Sequence, residues 1–130
     1  MSYLDRDILG MYRNHNGPGP ALMGADTLLG DEVYNHNDEE LGDIKEIMLD
    51  MRTGQIAYAV MTFGGFLGLG EGHHPVPWKK LRYDVNLGGF VTDITHEQLT
   101  GAPSWSETWV DDPTYRERSY SYYGVSPYWL

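Results

Sequence analysis

Gly64-Gly65-Phe66-Leu67-Gly68-Leu69-Gly70, running on to Pro75-Val76-Pro77-Trp78, constrains this chain more than any other stretch. Glycines at that density let the backbone take positive φ and turn sharply. Phe66, Leu67 and Leu69 leave water only if the loop folds back onto a core. The run lies between an apolar segment, Ile56 to Phe63, and an alternating one, Leu81 to Leu87. It therefore predicts a packed structural loop between strands. A phosphate cradle is a poor reading, because no Lys-Ser or Lys-Thr follows and no helix opens there.

The neighbouring segments read as strands. Leu28 to Asn35 is the first, and Asn35-His36-Asn37-Asp38 is a turn. Leu41 to Met51 is the second, and its alternation changes phase between Ile44 and Ile47. A phase change predicts a β-bulge near Lys45-Glu46, a device that bends a strand around a small barrel. Arg52-Thr53-Gly54-Gln55 closes a hairpin into Ile56 to Phe63. This third strand is apolar on both faces, with Tyr58 and Val60 on one and Ala57, Ala59 and Met61 on the other. Such a strand needs cover outside the barrel as well as within it.

Leu81, Tyr83, Val85 and Leu87 alternate with polar residues, and Gly88-Gly89 offers a two-residue turn into Phe90 to Ile94. Thr95-His96-Glu97-Gln98 fits a capping box opening one helical turn, stopped at Gly101-Ala102-Pro103. The expected fold is a mostly β, small antiparallel barrel with one helical turn. It divides as an N-terminal arm and linker (1–21), the barrel (22–103) and an aromatic C-terminal tail (104–130). In the arm, Leu4, Ile8 and Tyr12 allow a short amphipathic helix.

Nine Lys and Arg against nineteen Asp and Glu leave a net charge of −10. An acidic surface repels phosphate backbones, so direct nucleic-acid binding is not expected. The cations are scattered except for Lys79-Lys80-Arg82. With no cysteine, thiolate catalysis and cysteine-ligated metal sites are excluded. No apolar run reaches membrane-spanning length, and the N-terminus lacks the pattern of a signal peptide. A cytoplasmic location is the expectation.

In sequence order, Val33-Tyr34-Asn35, Glu39 to Gly42, Asp50 to Gly54, Ala57-Tyr58-Ala59-Val60 and Phe63 to Glu71 form a series of blocks. Val76-Pro77-Trp78, Leu81-Arg82-Tyr83-Asp84, Gly88-Gly89-Phe90-Val91 and Leu99-Thr100-Gly101-Ala102-Pro103 continue it. Together they resemble the PRC-barrel family, most of all its small stand-alone bacterial members. Asp38 stands where the family usually has glycine, and Asp tolerates left-handed geometry. The resemblance implies a barrel that acts through protein contacts rather than catalysis, as in the photosynthetic reaction-centre H subunit and a ribosome maturation factor. The H subunit's membrane helix and the maturation factor's N-terminal domain have no counterpart in this sequence.

No residue set demands one chemistry. No serine sits in a nucleophile elbow, no cofactor motif is present, and no catalytic residue is assigned. His73, His74, Glu71 and His36 are the weak candidates for a divalent metal. Adjacent strand histidines point to opposite sides, which argues for exposed loop histidines instead. The acidic run Asp38-Glu39-Glu40 lacks the ligand spacing of a calcium loop and reads as a solvated face.

The tail concentrates Trp105, Trp109, Tyr115, Tyr120, Tyr122, Tyr123, Tyr128 and Trp129. Eight exposed rings would be an aggregation liability, so the tail either straps across its own barrel or docks on a neighbour. The expected function is a non-enzymatic protein–protein interaction module, self-associating as a homo-oligomer or docking to another protein. Its interface is expected at Tyr58, Val60, Trp105, Trp109, Tyr122, Tyr123, Tyr128 and Trp129. A small-ligand or metal-binding protein using the loop histidines is the alternative.

Overall fold

The computed structural model describes residues 22–64, 71–106 and 110–129. The N-terminal arm, the centre of the glycine loop and Trp109 lie outside the described residues. A short helix, α1 (Ala25–Leu28), leads into strands β1 (Glu32–Asn35), β2 (Glu40–Leu49), β3 (Ile56–Gly64) and β4 (Glu71–Pro77). A 3₁₀ turn (Trp78–Lys80), β5 (Arg82–Asp84), β6 (Gly89–Thr92) and helices α2 (His96–Thr100) and α3 (Pro113–Tyr123) follow. The six strands form one mixed sheet in the order β4-β3-β2-β1-β6-β5. All pairs are antiparallel except β1 with β6.

The sheet is barrel-like without hydrogen-bonded closure between its two end strands. Trp78, directly after one end strand, meets Phe90 of β6 edge-on at 5.6 Å. That contact requires the sheet to curl until its ends face one another. One core results, drawing Val33, Ile44, Met61, Val76, Phe90 and Leu99 from along the whole chain.

Local sequence chemistry explains the bends. The β2–β3 register slips between Ile44 and Glu46, which leaves Lys45 as the extra residue of a bulge at the expected place. The β1–β2 turn is held by Asn35, whose Oδ1 accepts from the backbone N–H groups of Asn37 and Glu39. Asp38 takes φ 61°, the left-handed geometry expected where the family prefers glycine. Gly42 allows a close approach, since a Cβ there would lie 1.7 Å from the Thr62 carbonyl oxygen. The capping box of α2 forms as read: Thr95 Oγ1 accepts from Gln98 N–H, and Gln98 Oε1 accepts from Thr95 N–H.

Several expectations are corrected. The first strand does not begin at Leu28; α1 ends there, and Gly30 at φ 85° turns the chain into β1. The turn after β5 spans four residues rather than two. Asp84 Oδ1 accepts from Asn86 and Leu87 N–H, and the positive φ falls on Gly88 alone. Residues 71–77, read as the run-out of the loop, are an edge strand. Its outward carbonyls at His73 and Pro75 are covered by the tail, through Trp105 N–H at 2.6 Å and Ser119 Oγ at 2.8 Å. Pro75 and Pro77 share that outward phase, where a missing N–H breaks no ladder bond.

The tail contains a helix that the sequence reading left unassigned. Asp112 caps it by accepting from Thr114 N–H, with Pro113 at its first position. Gly124 at φ 69° ends it, and Val125 N–H bonds back to Tyr120 O in a Schellman motif. The buried face is Ser119, Tyr120 and Tyr123, with Arg116 half-buried one turn earlier.

Candidate functional site

The outer face of β3 is where the sequence placed an interface, and the chain's own tail covers it. Ala57, Tyr58 and Val60 form a second apolar cluster with Met48, Trp105, Tyr115 and Tyr128. Trp105 Nε1 donates to the Tyr58 hydroxyl at 3.1 Å, and the Tyr120 hydroxyl donates to Ala57 O at 2.5 Å. Burial pushes the Tyr58 hydroxyl up in pKa and the Tyr120 hydroxyl up to about 12. Tyr123 is buried in the main core, and burial raises its pKa too. Tyr122 stays exposed while its hydroxyl donates to Gln98 O, tying α3 to α2.

The far end of the tail returns to the β2–β3 hairpin. Tyr128 donates to Asp50 Oδ2 at 2.6 Å and accepts from Arg116 Nη1 at 3.1 Å. Arg116 also reaches Asp50 Oδ2 at 3.5 Å and lies over the Trp129 ring, 4.6 Å from its centroid. The Tyr128 hydroxyl, then the Arg52 backbone N–H, hold the Asp50 carboxyl below its ordinary pKa against the opposing effect of burial. Burial and the Asp50 hydrogen bond push Tyr128 up to about 12.

Beside this junction lies a cleft of about 620 Å³, walled by Met48, Tyr58, Pro113 and Trp129. Its rim carries the largest exposed apolar side chains of the hairpin, Met51, 88% exposed, and Leu49, 53% exposed, together with Val110 at 48%. Arg52 stands on the same rim as Asp111 and Asp112. Sequence reading missed this surface because Leu49 and Met51 look like an ordinary continuation of an apolar strand face. β2 ends at Leu49, and Met51 lies in the turn beyond it.

The metal candidates do not converge. His36 is in the exposed β1–β2 turn, whereas His73 and His74 are consecutive on β4, paired with Thr62 and Met61. The reading of His73-His74 as exposed loop histidines is corrected. His74 is buried, with Nδ1 3.0 Å from Pro103 O and its ring edge-on to Phe63. For Glu71 only the backbone is described. Among the described residues no three His, Asp or Glu side chains are grouped to hold a metal ion.

The mixed six-stranded sheet wrapped on one core fits the fold expected of the blocks quoted above. A family model, the PRC-barrel domain, matches residues 21–99. The chain belongs to the PRC-barrel family. Domains of this family are generally non-catalytic and often mediate protein interactions. A search of curated proteins finds no match. Among the described residues, no helix is long and apolar enough to cross a membrane. The PRC match ends at Leu99, inside α2, so α3 lies outside the matched residues.

Proposed function

We propose that this PRC-barrel protein is a non-enzymatic interaction module that pairs with a second copy of itself through the cleft beside the β2–β3 hairpin. One observation carries the reading: an apolar tip, Leu49 and Met51, protrudes next to a hollow of about 620 Å³ whose walls mix apolar side chains with the charged groups of Arg52, Asp111 and Asp112. A two-fold contact uses the same patch on both copies, so that patch must be complementary to itself. Knob and hollow lie side by side here, and so do Arg52 and the acidic pair Asp111 and Asp112. A two-fold axis between them sets each tip in the other copy's cleft and each Arg52 against the other's acids.

The net charge of −10 on each copy opposes association. Physiological salt screens that repulsion beyond about 8 Å, which leaves short-range fit to decide. The tail's role in this reading is internal. Tyr58, Val60, Trp105 and Tyr123 hold the strap on the barrel, and of the expected interface residues that are described, Tyr58 and Trp129 reach the cleft.

A charge swap tests the proposal by light scattering after size exclusion. Arg52→Asp and Asp111→Arg should each shift the protein towards monomer, and the double variant should restore association. Single variants that self-associate as the parent does would refute it.

A further inference from the structure

A separate hollow of about 440 Å³ opens where the β1–β2 turn, the 3₁₀ turn, β5, β6 and the end of α3 meet. His36, Lys79, Lys80, Arg82 and Asp93 supply its charged and titratable side chains. Three of the chain's nine Lys and Arg gather here, in a protein that carries nineteen acids. Lys80 Nζ is fixed between the two Asp93 carboxylate oxygens at 3.1 and 3.3 Å. Lys79 and Arg82 are exposed and make no ion pair with any described residue. Like charges brought together in one concavity repel, and an anion placed among them relieves the repulsion.

We infer that this hollow binds a phosphomonoester group. Three cations against the one carboxylate of Asp93 leave two positive charges, which match a phosphate dianion. Arg82 presents a planar fork suited to two parallel hydrogen bonds with phosphate oxygens. Lys79 contributes a flexible point charge from the neighbouring turn. The hollow is open to solvent and broader than a bare ion needs. Val91 and Val125 line it and give apolar contact to the organic part of a phosphomonoester. The packing of α3 completes the wall, since Gly124 and Val125 lie at its end.

The test is a two-dimensional amide NMR titration of the full chain with phenyl phosphate and with inorganic phosphate. Saturable shifts are expected at His36, Arg82, Val91 and Gly124, with phenyl phosphate binding the more tightly. The Lys79→Gln/Arg82→Gln double variant should bind roughly tenfold to a hundredfold more weakly. Arg82→Lys keeps the charge but loses the fork and should fall between, whereas Lys45→Gln should match the parent. Sedimentation with phosphatidylcholine vesicles, with and without phosphatidic acid, separates the sources. Binding to soluble phosphate esters alone marks a free metabolite-type ligand, and added retention on acidic vesicles marks a lipid headgroup. Absence of saturable shifts, or equal binding by the double variant with an unchanged fold, overturns the inference.

Discussion

Replacing Tyr128 with Phe removes one oxygen from the point where the strap is fastened to the barrel. That oxygen donates to Asp50 at 2.6 Å and accepts from Arg116 at 3.1 Å. A hydrogen bond to a charged group is worth about 1.5–3 kcal/mol. Arg116 still lies 3.5 Å from Asp50 and offsets part of the loss, so the expected cost is about 2 kcal/mol. For a chain of this length that lowers Tm by roughly 7 °C. The cost should vary with pH. Asp50 has its pKa lowered below 3.8, chiefly by the Tyr128 hydroxyl. Its stabilisation is therefore present above 3.8 and lost as pH falls through the lower folded value. Tyr128 is raised from 10.0 to about 12, so its own contribution is present below 10.0 and lost as pH rises through about 12. Urea unfolding of both proteins should show the full difference near neutrality and a shrinking one at either extreme. A difference below about 0.5 kcal/mol at neutral pH, or one constant into acid, would refute this account of the clasp.

Three further perturbations follow from the fold. Gly42→Ala sets a methyl 1.7 Å from the Thr62 carbonyl oxygen; β2 and β3 must separate there, and circular dichroism melts should show a loss above about 3 kcal/mol. Asp38→Gly relieves a left-handed non-glycine residue at φ 61° in an exposed turn, so chemical denaturation should show unchanged or higher stability, by up to about 1 kcal/mol. Deleting residues 104–130 uncovers Tyr58 and Val60 and frees the β4 carbonyls of His73 and Pro75. The shortened chain should aggregate, as exposed edge strands do; a soluble, folded product by size exclusion would show the strap to be dispensable.

Where local chemistry decides the structure, the sequence was readable. Lys45 as a bulge, Asp38 as a left-handed turn residue and the Thr95–Gln98 capping box each depend on a few neighbouring residues. The need for cover on both faces of β3 was also legible, because Ala57 to Met61 contains no polar side chain except the Tyr58 hydroxyl. α3 was missed because Arg116, Ser119, Tyr120 and Tyr123 do not look apolar, though they share one helical face. Asp112-Pro113 and Gly124 were its usable signals, a cap with proline at the start and glycine past the end. β4 was missed for a related reason, since two prolines argue against a strand until it is known to be an edge. The cleft was not legible at all. It joins the β2–β3 hairpin to residues 110–116 and 129, a juxtaposition that only the docking of the strap creates.

Self-pairing through that cleft is the central claim, and native mass spectrometry of the full chain beside a Met51→Glu variant tests it most directly. The parent should fly at twice the 14.8 kDa chain mass, and the variant, with a charge on the inserted tip, at the single-chain mass. A parent that stays at the single-chain mass at concentrations up to about 1 mM, or a Met51→Glu variant that pairs as the parent does, would contradict it.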